Sequence, residues 1–192
     1  MITKKQSKEI RAVWQNAEDV LKKVERLNGN IVIPSINELR NAGFHLARAI
    51  SPESGDDRSS DEHVELTILH CKRAIYDAVE VGILHCLNQI KNFDDDYKFI
   101  EVTDVITDYL NKRIFIDEIK SEINMITRHN TIDYCDKMYK HLDSLILIVN
   151  EFEHARIELA KRFKKWRYSI IYASISIVVM LAGLIIAILF NG

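Results

Sequence analysis

From Tyr168 to Phe190 the chain carries no charged side chain, and five of the seven residues just before that run are lysine or arginine. Wound as a helix at ~1.5 Å per residue, the run is about 34 Å long, enough to cross a hydrocarbon core of ~30 Å with a modest tilt. A segment of this length and purity predicts a membrane-spanning helix. Its place at the C-terminal end sets it apart from a secretory signal and predicts a tail anchor inserted after the rest of the chain is made. Lys161, Arg162, Lys164, Lys165 and Arg167 stand on one side of the run and only Asn191 and Gly192 on the other. The basic excess therefore predicts a single pass with the N-terminal domain in the cytoplasm. Trp166, Tyr168 and Tyr172 suit the headgroup belt.

The expected organisation is a helical domain over residues 1–160, a basic juxtamembrane segment over 161–167 and a transmembrane helix over 168–190. About 160 residues suffice for one domain with a genuine core. Only two prolines and six glycines occur in 192 residues, and both prolines precede residue 53, so few positions force a helix to stop. The predicted fold class is all-α, a cytoplasmic bundle whose long helices continue into one C-terminal transmembrane helix. Cys71, Cys86 and Cys135 sit inside apolar helical patterns in a domain expected in a reducing compartment, which predicts buried thiols rather than disulfides.

Thr3 and Gln6 stand at capping-box spacing ahead of a stripe formed by Ile10, Val13, Trp14, Ala17, Val20, Leu21, Val24 and Leu27, closed by Asn28-Gly29-Asn30. Ser35 and Glu38 suggest a second capping box. It launches a helix with Ile36, Leu39, Gly43, Leu46 and Ile50 inward, which ends at Ser51-Pro52. Residues 51–60 read as a solvated loop. From Asp61 to about Asn92 apolar positions nearly surround the helix, which predicts the central element. Asp94-Asp95-Asp96 suit the N-terminus of the next helix through the macrodipole, and breaks are expected near Asn111 or 128–130. From Thr131 no proline occurs, and one helix is expected to run from Ile132 through the bilayer to Phe190.

Within the apolar run, Ser169, Ala173, Ser176, Met180, Gly183 and Ala187 recur at alternating four- and three-residue steps, a small-residue stripe suited to helix packing and homo-oligomerisation in lipid. No ionisable residue marks an ion path, although a pore lined by Ser169, Ser176 and backbone is allowed in an assembly.

Residues 1–160 hold 21 Lys+Arg against 28 Asp+Glu, a balance of −7, which excludes an indiscriminate nucleic-acid surface. Any polyanion site is then a local pocket. Arg40, His45, Arg48, His70, Lys72 and Arg73, set among apolar positions, are the candidates. Arg73 and Asp77 at i,i+4 also suggest a buried ion pair. The repeated His-Cys pairs at 70–71 and 85–86 lie too far apart on a helix to share one metal, so they read as core residues. Metal sites and cofactors are not expected. No Gly-rich phosphate loop, Ser/His/Asp pattern or carboxylate pair occurs.

Arg40-Asn-Ala-Gly-Phe-His45 is similar to the Arg-polar-xxx-His motif of the HEPN ribonucleases, in which a dimer brings two arginine–histidine pairs onto one RNA phosphodiester. That resemblance implies His45 as acid or base and Arg40 on the phosphate, although in that family the motif follows most of the bundle. The strings Asn37-Glu-Leu-Arg-Asn-Ala-Gly-Phe-His-Leu-Ala-Arg-Ala49 and His70-Cys-Lys-Arg-Ala-Ile-Tyr-Asp-Ala78 look like a small helical module of bacterial anti-phage loci. Joined to a C-terminal anchor, they most resemble the Hailong-type membrane effector. This resemblance implies a non-enzymatic oligomer in the bacterial inner membrane. Its soluble domain would bind a nucleotide or oligodeoxynucleotide, made by a companion nucleotidyltransferase, through Arg40, His45, Arg48, Lys72 and Arg73, and would gate a channel or membrane disruption. A tail-anchored interaction protein without ligand or pore fits the same residues.

Overall fold

The computed structural model describes residues 2–51, 55–125 and 135–191, with side chains described for all of these except 124, 125, 184 and 187–191. It is all-α, and no strand occurs among the described residues. The helices are α1 (Lys4–Asn28), α2 (Ile33–Ile50), α3 (Ser60–Tyr97), α4 (Tyr109–Met125) and α5 (Cys135–Asn191).

The predicted capping box starts α1: Thr3 Oγ1 accepts the Gln6 amide at 3.2 Å, and Gln6 Oε1 accepts the Thr3 amide at 2.8 Å. Gly29, at φ 70°, closes the helix and donates its N–H to Glu25 O. That left-handed conformation costs glycine little. Ile10, Ala17, Val20, Leu21 and Val24 are buried, as their spacing requires.

For α2 the structure corrects two expectations. No capping box forms at Ser35–Glu38, because the helix starts a turn earlier, at Ile33, with Pro34 in its first turn. Proline fixes φ and lacks an N–H that would be orphaned there. The buried face is also one residue out of register with the predicted stripe. Ser35, Ala42 and Ala49 are buried, whereas Ile36 is 41 % and Ile50 69 % exposed. A one-residue step turns a helix by about 100°, and here small residues, not the larger isoleucines, allow α2 to lie close to α3.

α3 packs against α1, α2 and α5 and is the central helix, as its near-continuous apolar pattern indicated. It starts at a capping box formed by Ser59 and Glu62 and runs through Asp94, Asp95 and Asp96 to Tyr97. These acids therefore close one helix instead of opening the next, which places negative charge at the unfavourable end of the macrodipole. Cations from later helices offset this. Arg113 Nη1 donates to Asp94 Oδ2 at 2.6 Å, Arg156 Nη1 donates to Asp96 Oδ2 at 2.5 Å, and the Tyr109 hydroxyl donates to Asp94 Oδ1 at 3.4 Å. Residues 98–108 are non-helical and α4 begins at Tyr109, so the break falls before Asn111, which lies inside α4. The second expected break, at 128–130, lies outside the described residues.

α5 is unbroken over 57 residues, about 86 Å at ~1.5 Å per residue. Its first half buries Met138, Leu142, Leu145, Ile148, Phe152, Ala155 and Leu159 in the core. Its second half makes it the one helix among the described residues long and apolar enough to cross a membrane, and the described side chains from Tyr168 onward are all exposed. The juxtamembrane cations and the expected span at 168–190 lie inside this single helix. Of the small-residue stripe, Ser169, Ala173, Ser176, Met180 and Gly183 are all exposed. The Ser176 hydroxyl donates to Tyr172 O at 2.9 Å, so its hydrogen is already used by its own helix. The Ala187 side chain lies outside the described residues.

Gly82 fixes the seat of α5 on α3. A Cβ there would lie 2.9 Å from Leu142 Cδ1 and 3.1 Å from Val24 Cγ2, at the meeting point of α1, α3 and α5. Overfilling such a site typically costs 1–3 kcal/mol, so Gly82→Val is expected to destabilise the bundle by about 2 kcal/mol. At Gly43 the nearest atom would be Trp14 Cη2 at 3.7 Å, an ordinary contact. There Gly43→Ala is expected to stabilise by up to ~1 kcal/mol through helix propensity. Thermal melts of both variants in detergent, read by circular dichroism, check the opposite signs.

Candidate functional site

Two helices bring three histidines together. His45 lies on α2, and His63 and His70 lie two turns apart on one side of α3. His45 Nδ1 is 3.0 Å from His63 Nδ1, and the His45 ring stacks on that of His70 with centroids 5.2 Å apart and planes 10° from parallel. Each end of this row carries a carboxylate. Asp56 Oδ2 is 2.9 Å from His63 Nε2, and Glu38 Oε2 is 2.6 Å from His70 Nδ1. Arg48 Nη1 also donates to Asp56 Oδ2 at 2.9 Å, and the Arg48 guanidinium lies 4.5 Å from the Phe44 ring centroid.

The donor directions follow from the chemistry of the groups. An ionised carboxylate only accepts, so His63 Nε2 and His70 Nδ1 carry hydrogens. When His63 is neutral, its Nδ1 accepts, and His45 Nδ1 must donate to it. That leaves His45 Nε2 with an available lone pair. The row reads Asp56, His63, His45, in the order in which a buried carboxylate orients one imidazole and that imidazole orients the next. His63 is 1 % exposed and Asp56 8 % exposed at its side chain, so both are held by the fold, while His45 is half-buried.

The electrostatics agree with a neutral His45. Desolvation, followed by the fields of His70, His63, Arg58 and Arg48, holds its pKa below the ordinary imidazole value. Asp56 is held low first by the Arg58 amide, then by the hydrogen bond from His63 and the charge of Arg48, against the opposing effect of burial. Burial pushes the Cys71, Cys86 and Cys135 thiols up to about 11, so no thiolate forms there near neutrality.

Of the five predicted ligand residues, the structure brings His45 and Arg48 together with His70. It separates Lys72, which lines a cleft of about 290 Å³ with Val13, Val20, Cys135 and Tyr139 between α1, α3 and α5. Arg40 and Arg73 are exposed. Five positions on the helix set Arg40 about 140° around α2 from His45, so the arginine beside His45 is Arg48. The expected buried Arg73–Asp77 pair is corrected too. Among the described residues no hydrogen bond or ion pair joins them, and burial, with Glu38 and Glu80 adding to it, pushes Asp77 up to about 6 despite the field of Arg73. His70, whose side chain is 13 % exposed, is largely buried and bonded to Glu38, and His85 is half-buried, whereas Cys71 and Cys86 are fully buried.

Among the described residues no set of three His, Cys, Asp or Glu side chains is arranged around a metal position. A cleft of about 520 Å³ between α1 and α2 is lined by Ile2, Ile10, Trp14 and Leu46 among others, and by none of the predicted ligand residues. Sequence reading missed His63 and Asp56. The available signal was a histidine beside Val64 at a buried position of α3, preceded by an acid in a loop otherwise read as solvated. No protein-family profile matches this chain, and no curated protein and no solved structure is significantly similar to it.

The low pKa of His45 has a definite sign in stability. The unfolded chain takes up this proton at a higher pH than the folded one, so stability is lost as pH falls through about 6.5. Asp77 acts oppositely, because its raised pKa adds stability as pH falls through about 6. The difference between wild type and His45→Gln isolates the histidine. Between about pH 7.5 and 5.5 the wild type is expected to lose stability relative to the variant in denaturant titrations.

Proposed function

We propose that this chain is a homo-oligomeric membrane effector of bacterial immunity. Its cytoplasmic helical bundle senses a nucleotide or oligodeoxynucleotide signal and alters the packing of its C-terminal helices in the inner membrane. The observation that carries the reading is the continuity of α5: the helix that buries Leu142, Leu145 and Phe152 in the bundle is the one that emerges as an exposed apolar span. A displacement of the bundle is then delivered to the membrane by backbone hydrogen bonds, without a flexible joint. The stripe of Ser169, Ala173, Ser176, Met180 and Gly183 is exposed in the single chain, as a surface used between copies would be.

In this reading the signal binds at His45 and Arg48, and a phosphate replaces Asp56 as the acceptor for Arg48; Arg40, about 140° around α2 from His45, is outside the site. Lys72 is not part of it. Binding shifts the assembly only if the ligand prefers one state. The test is dye release from liposomes holding the full-length protein, with and without short oligodeoxynucleotides. Release is expected with ligand in the wild type. It is expected to vanish in His45→Ala/Arg48→Ala at unchanged helicity, and in a chain ended at Ala160. No release from the wild-type oligomer under any oligonucleotide would leave a tether without a pore.

One observation favours a second reading, a membrane-bound ribonuclease. The Asp56–His63–His45 row presents His45 Nε2 as a base with Arg48 beside it, the parts needed to deprotonate a ribose hydroxyl next to a bound phosphate. RNA cleavage lost in His45→Ala with membrane association intact would establish it.

A further inference from the structure

The loop between α3 and α4 lies at the height where α5 enters its apolar run. Phe99 stacks on Trp166, with centroids 5.5 Å apart and planes 12° from parallel, and the Phe163 ring lies 5.6 Å from that of Trp166. Trp166 is only two residues, about 3 Å of helix rise, before Tyr168, where the uncharged run begins. Phe99 is nevertheless 61 % exposed, and Lys98 Nζ stands 5.1 Å from its ring centroid. An exposed phenylalanine stacked on a tryptophan at this level is unfavourable in water and favourable in the headgroup layer, where aromatic rings concentrate.

The charges around it point to the same partner. Lys164, Lys165 and Arg167 are exposed and have no ion-pair partner among the described residues, whereas Arg156 and Arg162, further up the helix, are paired with Asp96 and Asp104. Lys164, Arg167, Tyr168 and Ile171 line a cleft of about 440 Å³ that joins two cations and a phenol to an apolar floor. That combination suits a lipid phosphate above the first carbons of its acyl chain.

We propose that Phe99 and Lys98 form a second membrane contact. In it the α3–α4 loop enters the headgroup layer beside Trp166, and the cleft of Lys164, Arg167 and Tyr168 holds the phosphate of an anionic phospholipid. The bundle then rests on the bilayer surface at two points, the span and the loop, which fixes its orientation. Glu101 lies on the same loop and limits its depth, since its carboxylate must stay at the aqueous side.

The inference rests on the span at 168–190, and the experiment separates the two. In full-length protein with Trp14→Phe, Trp166 is the sole tryptophan. In Trp14→Phe/Trp166→Phe/Phe99→Trp, the indole introduced at position 99 is the sole reporter. Both proteins are placed in phosphatidylcholine–phosphatidylglycerol vesicles carrying lipids brominated near the headgroup. Quenching of Trp166 reports the span, and quenching at position 99 to about half that extent or more is expected for the loop contact. Replacing phosphatidylglycerol by phosphatidylcholine is expected to reduce the position-99 signal. A quenched Trp166 with the loop reporter insensitive to brominated lipid, and equally open to acrylamide with and without vesicles, overturns the loop contact and leaves the span. An unquenched Trp166 overturns both. If Phe99→Trp does not fold, Lys98→Trp reports the same loop by the same criteria.

Discussion

A helix that continues from a protein core into a long uncharged run must change what its side chains face without interrupting its backbone hydrogen bonds, and α5 meets that constraint over 57 residues. If the uncharged run lies in lipid, as proposed, an unsatisfied amide or carbonyl there costs several kcal/mol, so the lower half has no freedom to break. In the bundle, Leu142, Leu145, Phe152 and Leu159 are fully buried, so the upper half cannot turn without exposing them. The two requirements meet between Arg156 and Arg167, where the side chains stop facing other helices and the uncharged run is about to begin.

The arrangement of α3 depends on this. Three consecutive aspartates at its C-terminal end oppose the helix dipole, each by a few tenths of a kcal/mol to about 1. They are tolerable because Arg113 of α4 and Arg156 of α5 reach them. Arg156 also lies 5.5 Å from the Phe93 ring centroid, and Phe93 packs on Phe152 at 4.6 Å. The end of α3 is therefore tied to α5 by charge on one side and aromatic packing on the other, next to the end of the bundle from which the uncharged run leaves. A sequence reader sees Asp94-Asp95-Asp96 as a helix start because the compensating arginines come 17 and more residues later in the chain.

That contrast explains which parts of the molecule were legible. The start and end of α1, the burial of α3 and the length of α5 follow from local signals: a Thr/Gln box, a glycine, the absence of proline, and apolar spacing. The face of α2 was misread because size was taken as the guide. Close approach of α2 and α3 favours Ala42 and Ala49, and leaves Ile36 and Ile50 outside. The site was half legible. His45, Arg48 and His70 stood out as polar residues in apolar surroundings. Asp56 and His63 did not, because their pairing depends on how the loop after α2 returns to the start of α3. Lys72 seemed to belong with His70 and Arg73, but two positions along a helix turn it about 200° away from His70, towards α1 and α5.

In the proposed function the histidine row and the span are connected through α3. His63 and His70 occupy its upper half, and Gly82 receives Leu142 of α5 twelve residues below His70, about 18 Å along the axis. No side chain needs to relay a signal over that distance if α3 moves as a rigid rod. In that function a shift of α2 against α3, set by a phosphate on Arg48, would tilt the rod. Leu142, seated against Gly82, would then carry α5 with it. The close fit at Gly82 would make the bundle and the span one mechanical unit, with the histidine row as the place where chemistry acts on it.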